Sequence, residues 1–415
     1  MRWLIGVYAA VVLLLGGFAV VGAAIIADST PSNPAEAAAD EHSFSLVAYE
    51  FRHFPEKWLY RIGRVFHKYD EGTDDQVLQR YFNLTKREAR LQDQDPASPA
   101  LAAMEEERAF LENTIERIIE GRVTSLIEDQ GLTADPPLFS DLGMVWPPVN
   151  FEFDQPPRVL VTSPRDKIEL QGDYLLSPGI SLDTVEQIES KAETTPNTSA
   201  VVVQSGGVAT YPSVIDNLDD YHHVIETVAH EWTHQYLTFY PLGAKYFSSS
   251  ELRTLNETVA TLSGRQLEAL YLQKYGDLDL SASDEPPPTA TPAPTTAPLG
   301  SPVPTAAPFD FTTSMRALQT QVTAMLAQGQ VAEAEALMNE KRDEFAQKGY
   351  YIRKLNQAYF AFNGFYATGP GSIDPIGPKL EQLAMQLGSE GAFLKRARAI
   401  TSVSELDAAL ASISG

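Results

Sequence analysis

Cysteine is absent from this 415-residue chain. That excludes a disulfide framework, a thiolate metal site, a catalytic thiol and a cysteine-borne lipid anchor. Positive charge is scarce as well: 31 Lys and Arg stand against 55 Asp and Glu, a formal net charge of −24. A field of that sign repels polyphosphate, so nucleic acid is excluded as a partner class. Histidine is sparse, with seven in the chain (His42, His53, His67, His222, His223, His230 and His234) and none beyond position 234. Any metal site must therefore be built from these few imidazoles and from carboxylates. What the chain does have is apolar content, 44% of its residues, enough for about two or three compact units with a substantial core.

Residues 3–27, WLIGVYAAVVLLLGGFAVVGAAIIA, are an unbroken apolar run, with Arg2 before it and Asp28, Glu36, Asp40 and Glu41 after it. The run is long enough to span hydrocarbon, and the positive-inside bias puts residue 1 in the cytoplasm. The expectation is a transmembrane anchor over 1–28 and a single-pass protein of the cell membrane with an extracytoplasmic C-terminal domain. Cleavage at AEAAAD (35–40) would make it a secreted protein instead. Residues 29–43 read as a polar tether. From 44 to 132 the pattern is helical: Leu101, Met104, Leu111, Ile115 and Ile118 recur at helical spacing, and Gly131 closes the run, as in a hairpin packed on the rest of the protein.

Residues 133–280 change character. Short β-branched and aromatic runs in VNFEFDQPPRVLVTSPRDKIELQGDYLL, broken by Pro-Pro, Ser-Pro and Gly-Asp, predict strands. SLDTVEQIESKAE predicts a helix capped by Ser181. SAVVVQSGGVATYPSVI (199–215) predicts a further strand with a Gly-Gly break, lying beside the helix that follows it. Residues 281–309, rich in Pro, Thr and Ala, form an extended linker or insertion with no core-forming pattern. Residues 310–415 are helical again. The fold class expected is α+β: a small mixed sheet, an active-site helix and a mostly helical C-terminal part, preceded by the N-terminal helical segment.

The chemistry lies in VIETVAHEWTHQYLTFY (224–240). A helix advances about 100° per residue, so His230 and His234 stand on one face a turn apart, close enough to share one zinc ion. Glu231 lies beside them, off the ligand axis, where a carboxylate can accept a proton from water. Ala229, Trp232 and Leu237 make the helix a buried one, and burying two imidazoles with a carboxylate is costly unless they are paired or metallated. A catalytic zinc needs a third protein ligand and keeps one position open. Tyr240 stands where the HExxHxxGxxH pattern would put a histidine, so the third ligand must be a carboxylate. SELRTLNETVATLSGRQLEALYLQKYG supplies Glu257, on a stripe with Ala260, Thr261 and Gly264, small residues that let two helices approach. Glu251 and Glu268 are the competing acids: Glu251 suits the dipole of the first turn, and Glu268 reads as solvated.

AHEWTHQYL and LNETVATLSGRQLEA together resemble the gluzincins, zinc peptidases with HExxH on one helix and a Glu on the next, and in particular bacterial aminopeptidase-like proteins. The resemblance runs from residue 133 to the C-terminus and includes GGVATYPS. It implies a zincin-like catalytic domain with Zn²⁺ as cofactor, His230, His234 and Glu257 as its ligands, Glu231 as general base, and a peptide or protein as substrate. The best-known gluzincin aminopeptidases carry Gly-x-Met-Glu-Asn on an edge strand, where the Glu holds the substrate amine. Here no acid lies between Gln204 and Asp216, so endo- and exopeptidase both stay open.

Peptide hydrolysis also needs a donor to the developing oxyanion. In RKLNQAYFAFNGFYATG (353–369), Asn356, Tyr359, Asn363 and Tyr366 recur at three and four. Either the stripe lines the cleft, with Tyr359 or Tyr366 as catalytic donor, or it satisfies backbone atoms inside a helical bundle. His223 is either a supporting residue beside the ligands or an exposed first-turn histidine. AVVVQSGG offers an edge to which a substrate peptide adds as a strand. The function expected is a zinc-dependent peptidase acting outside the cytoplasmic membrane. The alternatives are a non-catalytic envelope protein retaining a structural or sensing zinc site, and a binding protein in which the motif is coincidental.

Overall fold

Asn33 accepts the N–H of Glu36 and Pro34 takes the first helical position, so a helix, α1 (Pro34–Asp40), starts where composition alone suggested a tether. Its face of Ala35, Ala38 and Ala39, small enough to lie close on a neighbour, is buried against Val185 and Ile188 of helix α4 (Leu182–Ala192). The structure is a computed structural model and describes residues 33–46, 49, 73–134, 143–217, 220–280 and 309–414. Residues 281–308 and most of 44–72 lie outside the described residues.

Thr73 and Gln76 form a capping box at the start of α2 (Asp74–Gln94), and α3 (Pro99–Asp129) closes ahead of Gly131, whose φ of 65° suits glycine. Val77, Leu78, Tyr81 and Phe82 of α2 share a core with Leu111, Ile115, Ile118 and Ile119 of α3. Two carboxylates of α3 turn inward one helical turn apart. Glu120 accepts the Phe151 N–H at 3.2 Å and Glu116 accepts the Phe153 N–H at 2.8 Å. Both N–H groups belong to β3 (Phe151–Phe153), so its outer edge is closed by side chains.

Among the described residues the strands form three small sheets. β1 (Thr133–Ala134) and β2 (Met144–Val145) make an antiparallel pair. β3, β8 (Ser213–Ile215) and β7 (Gly207–Val208) make a mixed sheet in that order, β3 parallel and β7 antiparallel to β8. β5 (Gly172–Leu176), β4 (Arg158–Pro164) and β6 (Thr198–Gln204) make a separate antiparallel sheet. The class is α+β. Of the strand expected over 199–215, the part after the Gly-Gly break, β7 and β8, lies beside the motif helix, whereas the part before it, β6, lies in this other sheet, and its edge is not free. Glu193 and Glu189 accept the N–H groups of Ala200 and Val202, at 3.1 and 2.6 Å, while Asn356 and Arg353 donate to the carbonyls of the same two residues. An apolar edge strand is thereby protected from further pairing.

The first helix of the motif packs on the mixed sheet, and the second packs on the first. Asp220 accepts the N–H groups of His222 and His223 and starts α5 (Tyr221–Leu237). After α6 (Pro241–Ala244) and a 3₁₀ turn (Tyr246–Ser248), Ser249 caps α7 (Ser250–Tyr275). Gly264 lets the pair close up: a Cβ there would sit 2.8 Å from the Glu226 carbonyl oxygen. α8 (Phe311–Ala327) and α9 (Val331–Gln347) build a second core around Met315, Val322, Met338 and Phe345, joined by Phe360 of α10 (Gln357–Asn363). α11 (Ile376–Leu387), α12 (Glu390–Ala397) and α13 (Val403–Ser414) return to the main core through Leu380, Leu383, Leu394 and Leu406.

The expected placement at the cell membrane is corrected. Among the described residues no helix is long and apolar enough to cross a membrane. The apolar run at 1–28, on which that expectation rested, lies outside the described residues.

Candidate metal centre

Helical periodicity delivers His230 and His234 to one face of α5, and the close approach at Gly264 brings Glu257 of α7 opposite them. The two Nε2 atoms are 3.0 Å apart, and Glu257 Oε2 is 3.3 Å from that of His234 and 3.7 Å from that of His230. Ligands of a tetrahedral zinc at about 2.0–2.1 Å stand roughly 3.3 Å from one another. The three separations bracket that value, so one small ion fits the triangle. Among the described residues these are the metal-ligating side chains that the fold gathers within 4.8 Å of one another.

Two neighbours hold the ligands. His234 Nδ1 lies 2.6 Å from Asn256 Oδ1, which as an acceptor keeps the imidazole proton on Nδ1 and leaves Nε2 free toward the cluster. Tyr246, on the 3₁₀ turn, donates its hydroxyl to Glu257 Oε1 at 2.5 Å, leaving Oε2 to face the histidines. Neither role was foreseen from sequence. Asn256 precedes Glu257 on the quoted helix with no role assigned by the spacing, and Tyr246 sits in a turn without periodicity.

The electrostatics couple the three side chains. Burial raises the Glu257 pKa, but His234 and His230 outweigh it and hold the carboxyl well below the usual range. Burial likewise opposes charge on His234, and Glu257 overrides it, pushing that pKa up to about 9. The carboxylate and the imidazoles therefore favour one another's charged forms. Glu231 stands apart from the ligand triangle. It is buried, and burial raises its pKa against the lowering effect of His230 and His234. The β7 backbone lies directly on it: a Cβ on Gly207 would be 2.7 Å from Glu231 Oε1 and 3.0 Å from Thr227 Cγ2.

Of the two candidate tyrosines the structure brings one. The predicted stripe assumes a continuous helix over 353–369, but α10 ends at Asn363 and the chain turns. Thr258 of α7 then pins the turn, donating to the Phe365 carbonyl at 3.3 Å and accepting the Ala367 N–H at 3.2 Å. Tyr366 is thereby set with its ring 6.5 Å from that of His230. Burial, with Glu257 and Glu231 nearby, raises its pKa well above the usual value, so its hydroxyl stays a donor. Tyr359 packs instead against the second core and the valines of β4 and β6, and no hydrogen bond or ring contact joins it to the cluster among the described residues. Asn356 and Asn363 serve the backbone: Asn356 caps α10 at the Tyr359 N–H, and Asn363 donates to the Tyr359 carbonyl.

No family model, curated protein or solved structure matches this chain. The site stands on its own geometry.

The remaining candidates have other work. Glu251 accepts the Val403 N–H at 3.0 Å, tying α7 to the start of α13. Glu268 binds His222 Nδ1 at 2.7 Å. His223 is half-buried on α5, its Nε2 3.5 Å from Thr227 Oγ1, and is not one of the gathered ligands. What remains is three ligands with nitrogen and oxygen donors, a buried carboxylate alongside, and two tyrosine hydroxyl groups at the rim. A donor set of this kind could hold a metal ion.

Proposed function

We propose that this protein is a zinc-dependent peptidase of the gluzincin type, its catalytic unit zincin-like and formed by the mixed sheet, α5, α7 and the C-terminal helices. The observation that carries it is the triangle of His230, His234 and Glu257 on two closely packed helices, with Glu231 next to it. A zinc ion held there would supply Lewis-acid polarisation of the scissile carbonyl and of water. Glu231 takes a proton from water as the water oxygen bonds to the carbonyl carbon. It gives that proton to the departing nitrogen as the C–N bond breaks, leaving a carboxylic acid and an amine. Tyr366 donates to the carbonyl oxygen while negative charge collects on it.

Support for an extended peptide comes from the edges of the sheets. Side chains close the outer edges of β3 and β6, whereas β7 ends the mixed sheet directly over Glu231. A peptide added to β7 as a further strand passes the ligand triangle.

Zinc content and turnover of peptides with free and blocked N-termini test the proposal. The wild type is expected to hold one zinc and cleave. His230→Ala loses both metal and cleavage. Glu231→Gln keeps its metal and loses about 10²–10⁴-fold in turnover. Full hydrolysis by Glu231→Gln contradicts the general-base role, and zinc-loaded wild type that cleaves nothing leaves a non-catalytic metal site.

A further inference from the structure

Arg253 lies one turn before Glu257 on α7 and is mostly buried. Its guanidinium meets three different elements. It pairs with Asp173 of β5 at 2.8 Å, stands over the Tyr246 ring at 5.5 Å, and stands over the Phe365 ring at 4.6 Å. Its Nε has no hydrogen-bond partner among the described residues. One ion pair and two aromatic faces therefore hold it, an arrangement for which a planar guanidinium is suited and an ammonium is not.

Each aromatic contact leads to the ligand triangle. Tyr246 carries the hydroxyl that engages Glu257 Oε1, and Phe365 adjoins Tyr366, whose ring lies beside His230. Asp173 belongs to the other sheet, where it pairs with Val161 of β4. Phe362, packed on the valines of that sheet, reaches the Tyr366 ring at 5.8 Å, and Arg253 joins the same sheet to the Tyr246 ring and to Phe365.

We infer that Arg253 is a positioning residue for the metal centre: its guanidinium, anchored by Asp173, locks Tyr246 onto Glu257 and sets the turn that carries Tyr366, so that the antiparallel sheet governs the geometry of the ligands. This rests on the metal-binding reading of the cluster. Arg253 acts through Tyr246, so its removal and that of the Tyr246 hydroxyl damage the same contact.

The test is a double-mutant cycle on zinc affinity, measured by competition with a chromogenic chelator, in full-length protein. Arg253→Lys keeps the charge and loses the planar stack. It is expected to weaken zinc binding about tenfold or more, the usual effect of losing an outer-shell support. Tyr246→Phe is expected to do the same, and the double variant no worse than either single one. Wild-type affinity in Arg253→Lys, or losses that multiply in the double variant, overturn the inference. A second cycle needs no metal: Asp173→Asn and Tyr246→Phe should be non-additive in melting temperature of the metal-free protein, and additive once Arg253 is Lys. Additivity in the Arg253 background refutes the bridge. Wild type that binds no zinc yet shows that coupling refutes the metal reading and keeps the bridge.

Discussion

Gly207 leaves no room for a side chain beside Glu231. A methyl group there meets Glu231 Oε1 at 2.7 Å and Thr227 Cγ2 at 3.0 Å, so the carboxylate must move while the three ligands need not. Gly207→Ala is expected to keep its zinc and lose about 100-fold in turnover, since a displacement near 1 Å in a reacting group costs that much. Paired measurement of zinc content and kcat checks it. Residues on helices were the legible ones. The direction of His230, His234 and Glu257 follows from periodicity, because an α-helix fixes which side chains share a face. Tyr246 was not legible, because the direction of a side chain on a 3₁₀ turn is set by what packs around it. Tyr359 was misplaced for a related reason: the spacing from Tyr359 to Tyr366 places both on one face only if the helix continues, and α10 stops between them.

Among elements, the pair α5 and α7 matters most, since the triangle exists only at their separation. Gly264 sets that separation, with the Glu226 carbonyl oxygen 2.8 Å and His230 Cβ 3.3 Å from where its Cβ would be. The obstacle is backbone and cannot rotate away. Gly264→Ala is expected to cost about 1–3 kcal/mol of stability, the usual penalty for overpacking, and to weaken zinc binding as the helices part. Denaturant unfolding and a zinc titration read the two effects; unchanged values for both would mean that the helices are free to separate. The stripe of small residues announced this contact in advance. Strand pairing did not announce itself in the same way. SAVVVQSGG reads correctly as a strand, but its assignment to the β5–β4–β6 sheet depends on partners far away in the chain and on Glu189, Glu193, Arg353 and Asn356, which close its edge.

In the whole molecule, the main core runs from α2 to α13, and α11 and α12 pack against α7. Glu390, at the first turn of α12, is buried where it meets α7, and burial pushes its pKa up to about 7 from the ordinary 4.5, with Ser263 lowering it in part. The folded state therefore binds this proton more tightly than the unfolded chain does. Its contribution is unpenalised below about pH 4.5, declines as pH rises, and reaches a cost of about 3 kcal/mol above pH 7. Glu390→Gln is expected to raise the melting temperature at pH 8 and to leave it unchanged at pH 4; thermal unfolding across that range checks the sign. The α+β class and the helical C-terminal part were readable from composition and periodicity. The seating of α1 on α4 was not, because three alanines carry little hydropathic signal and gain their burial only from the surface they meet.

The central claim is that one divalent ion sits between His230, His234 and Glu257. X-ray diffraction from crystals of the zinc-loaded protein, recorded across the zinc absorption edge, tests it most directly. A single anomalous peak within bonding distance of His230 Nε2, His234 Nε2 and Glu257 Oε2 is the predicted result. An absent peak, or one that leaves Glu257 outside the coordination shell, contradicts the account.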